Sequence, residues 1–303
     1  MCLSGTSSFL IWVALELNIL AFLPIISNQG VWAFENTIKY FLVQSVASII
    51  FLSSRIMVNF LPSYFSDVGT ISILLKLGAA PLHRWFISIL KTCSLTVLFF
   101  LSTIQKILPL LVCFNLWLKS WILVLFSVIT FILILLSTPG IININKILGV
   151  SSVMNLIWFL LSTQTSYLVF FLFFIIYTTI LYCLILILFN LIVTRFYELG
   201  GVSVRLKTLL VYLFMSLGGM PPFLGFLGKI CVLKENMYSM DSVFLVSLVL
   251  ASLRVLYLYI SRSFFFLCMV PYQKISIPQN KISYQRIVIL GGIVLVNYVR
   301  LLV

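Results

Sequence analysis

At 303 residues, the chain is 63% hydrophobic and only 8% charged, with a formal net charge of +13. Soluble domains carry about a quarter charged residues, so this composition excludes one. The cations stand singly in short loops and form no basic cluster with interleaved aromatics, which excludes a nucleic-acid surface and fits residues flanking membrane spans.

Apolar runs long enough to cross a bilayer recur along the whole chain, which predicts an all-α, polytopic transmembrane helix bundle. Residues Met1 to Phe9 show neither an Arg-rich amphipathic presequence nor a signal-cleavage pattern. About ten spans follow, over 9–27, 39–61, 68–90, 94–115, 120–138, 147–163, 166–194, 207–236, 242–262 and 284–303. One membrane domain thus covers residues 1–303. An extended polar link at 263–283, marked by Pro271, Lys274, Pro278 and Lys281, leads to the last helix.

Glu16 lies near the middle of the first span. A carboxyl group there must be paired, neutral or hydrated. The third span carries Lys76-Leu77-Gly78-Ala79-Ala80-Pro81-Leu82-His83, which sets small residues and proline inside an apolar run. The backbone groups freed by such a break persist in a membrane only where protein or a wet cavity meets them. The eighth span has a second break, Leu217-Gly218-Gly219-Met220-Pro221-Pro222, with Lys229 one to two turns beyond. Two broken helices at matching places are the pattern of antiporter-like inverted repeats. The first pseudo-repeat covers about 9–115 and the second 120–262. The symmetric plan needs one span before the first one seen, so the chain is expected to start one helix short of it.

Lys106, in the middle of the fourth span, has no acid nearby in sequence. A charged side chain at the bilayer centre costs about 2.5–3.5 kcal/mol on insertion scales, so three buried lysines and a glutamate call for an explanation. A Glu16–Lys76 pair could fix helix packing, and Lys229 could reach an interface. His83 fits a hydrogen-bonding role in a loop or cavity as well as that of a proton carrier. A row of lysines with one acid, next to broken helices, suits proton transfer better than solute binding. Alternating protonated and neutral amines, with water between them, pass charge through Coulomb coupling.

With the N-terminus on one side, the opposite side collects Lys39, Arg84, Lys91, Lys146, Arg195, Arg205, Lys207, Arg262, Lys274, Lys281 and Arg286. The N-terminal side receives Arg55, Lys119, Lys234 and Arg300. This bias turns the richer side toward the matrix or cytoplasm and puts both termini in the opposite compartment. The six cysteines, at 2, 93, 113, 183, 231 and 268, form no CxxC pair, and the single histidine with scattered acids offers no expected metal-ligand set. Gly291-Gly292 in the last span is only a weak packing signal.

Six segments, in order, resemble one family: Trp12 to Pro24, Ile38 to Ser48, Lys76 to Trp85, Gln105-Lys106, Lys146 to Ser152 and Ser216 to Lys229. The family is subunit 2 of mitochondrial NADH dehydrogenase, an antiporter-like subunit of the membrane arm of respiratory complex I. The resemblance implies a multi-pass protein of the mitochondrial inner membrane, with both termini on the intermembrane-space side. It implies proton translocation coupled to NADH oxidation by ubiquinone elsewhere in the complex. On this reading the chain has no redox cofactor of its own, while the whole complex uses NADH, FMN, Fe-S clusters and ubiquinone. Its partners are other membrane-arm subunits, lipids, protons and internal water, and no nucleic acid. Glu16 matches the family's helix glutamate and Lys76 its partner lysine. Lys106 matches the central lysine, and Lys229 the lysine of the second broken helix.

The chain departs from the family pattern in four places. It begins almost at the glutamate helix, Ile87-Ser88 replaces the usual acid after the tryptophan, Asn145-Lys146 replaces an Arg-Lys pair, and Ile104 replaces the tryptophan usual before Gln-Lys. Two alternatives stay open: a cation/proton antiporter of related fold, and a structural membrane-arm subunit needed for assembly.

Overall fold

The computed structural model describes residues 7–28, 32–58, 60–116, 120–137, 143–191, 195, 198–199, 202–237 and 242–268. Among these, twelve α-helices follow one another: α1 Ser8–Ser27, α2 Ala33–Met57, α3 Pro62–Leu77, α4 Arg84–Thr92, α5 Leu95–Ser102, α6 Ile104–Leu116, α7 Ser120–Ser137, α8 Ile144–Ser162, α9 Tyr167–Leu191, α10 Val204–Gly218, α11 Leu224–Asn236 and α12 Ser242–Cys268. No β-strand occurs among the described residues; one isolated antiparallel bridge joins Asn143 and Arg195.

Among the described residues, six segments are long and apolar enough to cross a membrane: Ser8–Ser27, Ala33–Met57, Leu95–Phe114, Ile144–Ser162, Tyr167–Leu191 and Phe244–Arg262. The predicted third and eighth spans fall on helix pairs, α3 with α4 and α10 with α11. No member of either pair reaches the length of about 20 residues that a span requires. The link expected over 263–283 begins as helix instead, because α12 runs on to Cys268 through the apolar Phe264 to Leu267. The predicted last span, Gly291-Gly292 and the cations Lys119, Lys274, Lys281, Arg286 and Arg300 lie outside the described residues.

Helix α8 is the axis of the bundle. It packs against α4, α5, α6, α7, α9, α11 and α12, and all its residues from Ile147 to Ser162 are buried. Its polar side chains are mostly short, and Gly149, Ser151 and Ser152 let neighbours come close. A Cβ at Gly149 would stand 3.0 Å from Leu90 Cδ1. Helices α1 and α2, by contrast, present Leu17, Leu20, Phe34, Leu42 and Ile49 outward, as a helix bathed in lipid or covered by another chain does. The inner face of α2 carries Asn36, Tyr40, Gln44 and Ser48, one turn apart and all buried.

Candidate functional site

Both breaks end their first half-helix with the same turn. Gly78 is left-handed (φ 69°); its N–H donates to the carbonyls of Leu74 and Leu75, and that of Ala79 to Leu74. Gly219 is left-handed as well (φ 80°); its N–H donates to Met215 and Ser216, and that of Met220 to Met215. This glycine cap ties off carbonyls that would otherwise face the membrane interior unpaired. Proline then prevents the helix from resuming at once. Pro81, after a cis Ala80–Pro81 bond, and Pro221-Pro222 fill the connecting turns. The chain re-enters helix at Arg84 and at Leu224.

Side chains complete the first break. Gln44 Nε2 donates to the Lys76 carbonyl at 3.0 Å, and Trp85 Nε1 to the Leu75 carbonyl at 3.2 Å. His83 sits in the turn just before α4, half-buried, with Nδ1 3.2 Å from the Pro81 carbonyl oxygen. That contact ties it locally to the turn. At the second break the half-helices cross so closely that a Cβ on Gly225 would lie 1.8 Å from the Ser216 carbonyl oxygen.

A third irregularity was not expected from the sequence. The predicted fourth span is interrupted at Thr103 (φ −120°, ψ −80°), between α5 and α6. Ser102 Oγ donates to the Leu98 carbonyl at 2.7 Å and Thr103 Oγ1 to that of Phe99 at 2.6 Å. Hydroxyls bonded back to the preceding turn compete with the helical ladder and bend it. Pro109, lacking an N–H, leaves the Gln105 carbonyl without its usual partner one turn later. The readable signal was the Ser102-Thr103 pair placed six residues before a proline. Lys106 stands inside this loosened segment.

The three lysines are buried, at 4%, 2% and 7% exposure for Lys76, Lys106 and Lys229. Their surroundings differ. Lys106 Nζ donates to the Ser152 carbonyl on α8 at 2.9 Å and lies 5.0 Å from the centre of the Phe86 ring. Lys229 Nζ donates to the Gly218 carbonyl at 2.7 Å and lies 5.6 Å from the centre of the Trp158 ring. Lys76 Nζ has no hydrogen-bond partner. Half-buried Glu16 on α1 acts on Lys76 electrostatically. Helix α8 touches both Lys106, at Ser152, and Lys229, at Trp158. Six residues of helix separate these points by about 9 Å along its axis.

Lys76 and Lys106 share one cavity, lined also by Asn18, Tyr40, Gln44, Trp85 and Gln105. About 20 Å³ of it is open to the centre of a water molecule, enough for one water with polar neighbours. Asn18 Nδ2 donates to Gln105 Oε1 at 2.7 Å, and Tyr40 Oη donates to the same oxygen at 3.1 Å. Asn18, Tyr40, Gln44 and Gln105 lie in segments that carry the family resemblance, but neither they nor Trp158 were given a role from the sequence. A polar residue on every fourth position of α2, within an apolar run, was the available clue. Arg254, a cation within α12, is half-buried, with its guanidinium carbon 5.2 Å from the centre of the Tyr257 ring. Among the described residues, no three His, Cys, Asp or Glu side chains gather as a metal site. Chemically, the arrangement can hold protons on amines, carry them over short polar or water-filled gaps, and bias each site through its neighbours.

A family model for the transmembrane part of NADH:quinone oxidoreductase/Mrp antiporter proteins matches residues 63–254, a stretch that holds both breaks, Lys76, Lys106 and Lys229. NADH-ubiquinone oxidoreductase chain 2 of Artemia franciscana is 34% identical over 280 residues, covering 88% of this chain and 87% of that one. The protein of the same name from Anopheles gambiae is 31% identical over 315 residues, covering 95% and 90%. Among solved structures, a chain of respiratory complex I from Thermus thermophilus superposes with a TM-score of 0.79 at 17% identity, over 96% of this chain and 72% of that one. A chain of an archaeal membrane-bound sulfane sulfur reductase superposes with a TM-score of 0.75 at 14% identity, over 97% and 69%. At these identities the two structures speak to the fold alone.

Proposed function

The chain belongs to the NADH:quinone oxidoreductase/Mrp antiporter membrane family, and from that premise we propose that it is an antiporter-like subunit of the membrane arm of a mitochondrial respiratory complex I, relaying protons through Glu16, Lys76, Lys106 and Lys229. It works as part of proton-translocating NADH:ubiquinone reductase in the inner membrane, without a redox centre of its own. NADH, flavin, Fe-S clusters and quinone belong to other subunits of that assembly. The two breaks organise two inverted pseudo-repeats, and the cation-rich side with Lys39, Arg84 and Lys91 faces the matrix, leaving both termini toward the intermembrane space.

The observation that carries this reading is the pattern of burial. Lys76, Lys106 and Lys229 lie inside the bundle, each beside an irregular stretch of helix, and Lys106 and Lys229 bond to backbone carbonyls; a fourth buried lysine, Lys207, lies in the first turn of α10, away from the breaks. A carbonyl accepts from an ammonium without fixing it as a carboxylate would, so the proton stays exchangeable. When Glu16 changes charge, the field at Lys76 changes. Lys76 then passes a proton into the shared cavity toward Lys106, and α8 connects Lys106 onward to Lys229. His83 stays a candidate for proton exchange at the edge of the first break.

The test is Lys106→Met in the assembled complex within sealed vesicles. Proton translocation coupled to quinone reduction is expected to fall strongly, while NADH oxidation with an artificial acceptor at the hydrophilic arm persists. Unchanged proton stoichiometry would refute the relay. One observation favours a second reading, a cation/proton antiporter: the family model that matches residues 63–254 covers Mrp antiporters as well as NADH:quinone oxidoreductases. Sodium-dependent exchange in vesicles free of NADH-oxidising activity would establish that reading instead.

A further inference from the structure

We infer that Gln105, held by Asn18 and Tyr40, is a positioning residue that sets the passage between Lys76 and Lys106. The inference rests on the relay reading above and names a component that the lysine row does not include.

Gln105 Oε1 accepts two hydrogen bonds, from Asn18 on α1 and Tyr40 on α2, at 2.7 and 3.1 Å. Both donors come from elements distant in sequence, by 87 and 65 residues. Asn18 lies two residues beyond Glu16. Tyr40 lies one turn before Gln44, whose amide holds the Lys76 carbonyl at the first break. Gln105 directly precedes Lys106, and it lines the cavity that Lys76 and Lys106 share. One amide therefore ties together the helix of Glu16, the helix that braces the Lys76 break and the helix of Lys106.

This clasp is well placed to control transfer for three physical reasons. It joins α6 where the helix is weakest, between the Thr103 interruption and Pro109, so the position of Lys106 depends on a side-chain tether more than on the helical ladder. Tyr40 is rigidly seated, 2% exposed, with its ring 5.3 Å from Phe22 and 6.2 Å from Trp85, so the tether has a fixed anchor. The cavity has room for about one water, and Lys76 Nζ has no protein partner. A shift of the Gln105 side chain therefore changes both the space and the polar groups available to a bridging water. While Asn18 and Tyr40 hold the amide, the cavity keeps the shape in which one water can bridge the two amines, and loss of either donor disturbs that shape.

The test uses the assembled complex in sealed vesicles, with rates normalised to the amount of assembled complex. Gln105→Met keeps length and bulk but removes the acceptor. Coupled proton transfer per complex is expected to fall about fivefold to tenfold, the equivalent of one to two buried hydrogen bonds. Tyr40→Phe and Asn18→Leu are expected to fall by less singly, and together to match Gln105→Met, with no additional loss in the triple variant. A purely structural role would lower the amount of complex without changing its rate per complex or producing this non-additivity. Gln105→Met at wild-type rate per complex overturns the inference, as does a further loss when Tyr40→Phe and Asn18→Leu are added to Gln105→Met. Lys106→Met in the same vesicles separates the two levels. If it transfers protons normally, the relay reading fails; if it is inactive while Gln105→Met is normal, only the clasp fails.

Discussion

The two breaks use one turn to hold two lysines in opposite ways. At the first, Lys76 lies in the last turn of α3, ahead of the glycine cap, and its ammonium has no hydrogen-bond partner. At the second, Lys229 lies on α11, past the cap, and its ammonium closes on the Gly218 carbonyl at 2.7 Å. The C-terminal end of a helix attracts cations, and Lys229 reaches back across the break to use it. Lys76 is on the same half-helix as its own cap, so its side chain points away into the shared cavity. The lysine before the break is loose and faces a water-sized cavity; the lysine after it is latched. Side chains compensate in the reverse sense. Gln44 and Trp85 brace the first break, whereas close backbone crossing at Gly225 and the Lys229 latch brace the second.

The most severe way to break this comparison is Gly225→Ala. Its methyl group would overlap the Ser216 carbonyl oxygen, a backbone atom that cannot rotate away. The expected cost is at or beyond the upper end of roughly 1–3 kcal/mol for overpacking, and native gels should show little assembled complex. Next comes the contrast between the lysines themselves. Lys229→Met leaves the Gly218 carbonyl without its donor and should destabilise by about 1–3 kcal/mol. Lys76→Met loses no hydrogen bond and should change stability by less than about 1 kcal/mol. Both should lose coupled proton transfer, so heat-induced dissociation of the complex separates them where pumping does not. Equal thermal shifts would erase the latched-versus-loose distinction.

A smaller effect sharpens the first break. Gln44→Leu frees the Lys76 carbonyl and should cost about 1 kcal/mol, with the loss read as a lower dissociation temperature. Smallest is Gly219→Ala, which asks a residue with a Cβ to stay left-handed at a cost of about 1 kcal/mol. The added methyl group would come 2.9 Å from Lys229 Nζ, the mobile end of a side chain that can give way. It should therefore slow proton transfer more than it lowers stability, and proton flux measured alongside melting checks this.

Both glycine-proline breaks were readable because they rest on local chemistry: a left-handed residue needs glycine, and proline cannot donate. The lysines were readable because a charge in a long apolar run stands out whatever surrounds it. The Thr103 interruption was less visible. Serine and threonine are common in membrane helices, and only their back-bonding, set by side-chain rotamers, turns a kink into a break. Tyr40, Gln44 and Asn18 looked like scattered polar residues. Their importance comes from where helices of distant sequence meet.

The sequence by itself determined an all-helical membrane protein, two interrupted helices and a row of buried lysines. Hydropathy, glycine and proline act within a few residues of themselves, and no tertiary contact is needed to read them. The tertiary structure decided which carbonyl each lysine meets, how α8 connects two of them, and that one glutamine joins three helices. Those contacts cross 11, 46, 65 and 87 residues of chain, and packing alone brings such distant groups together.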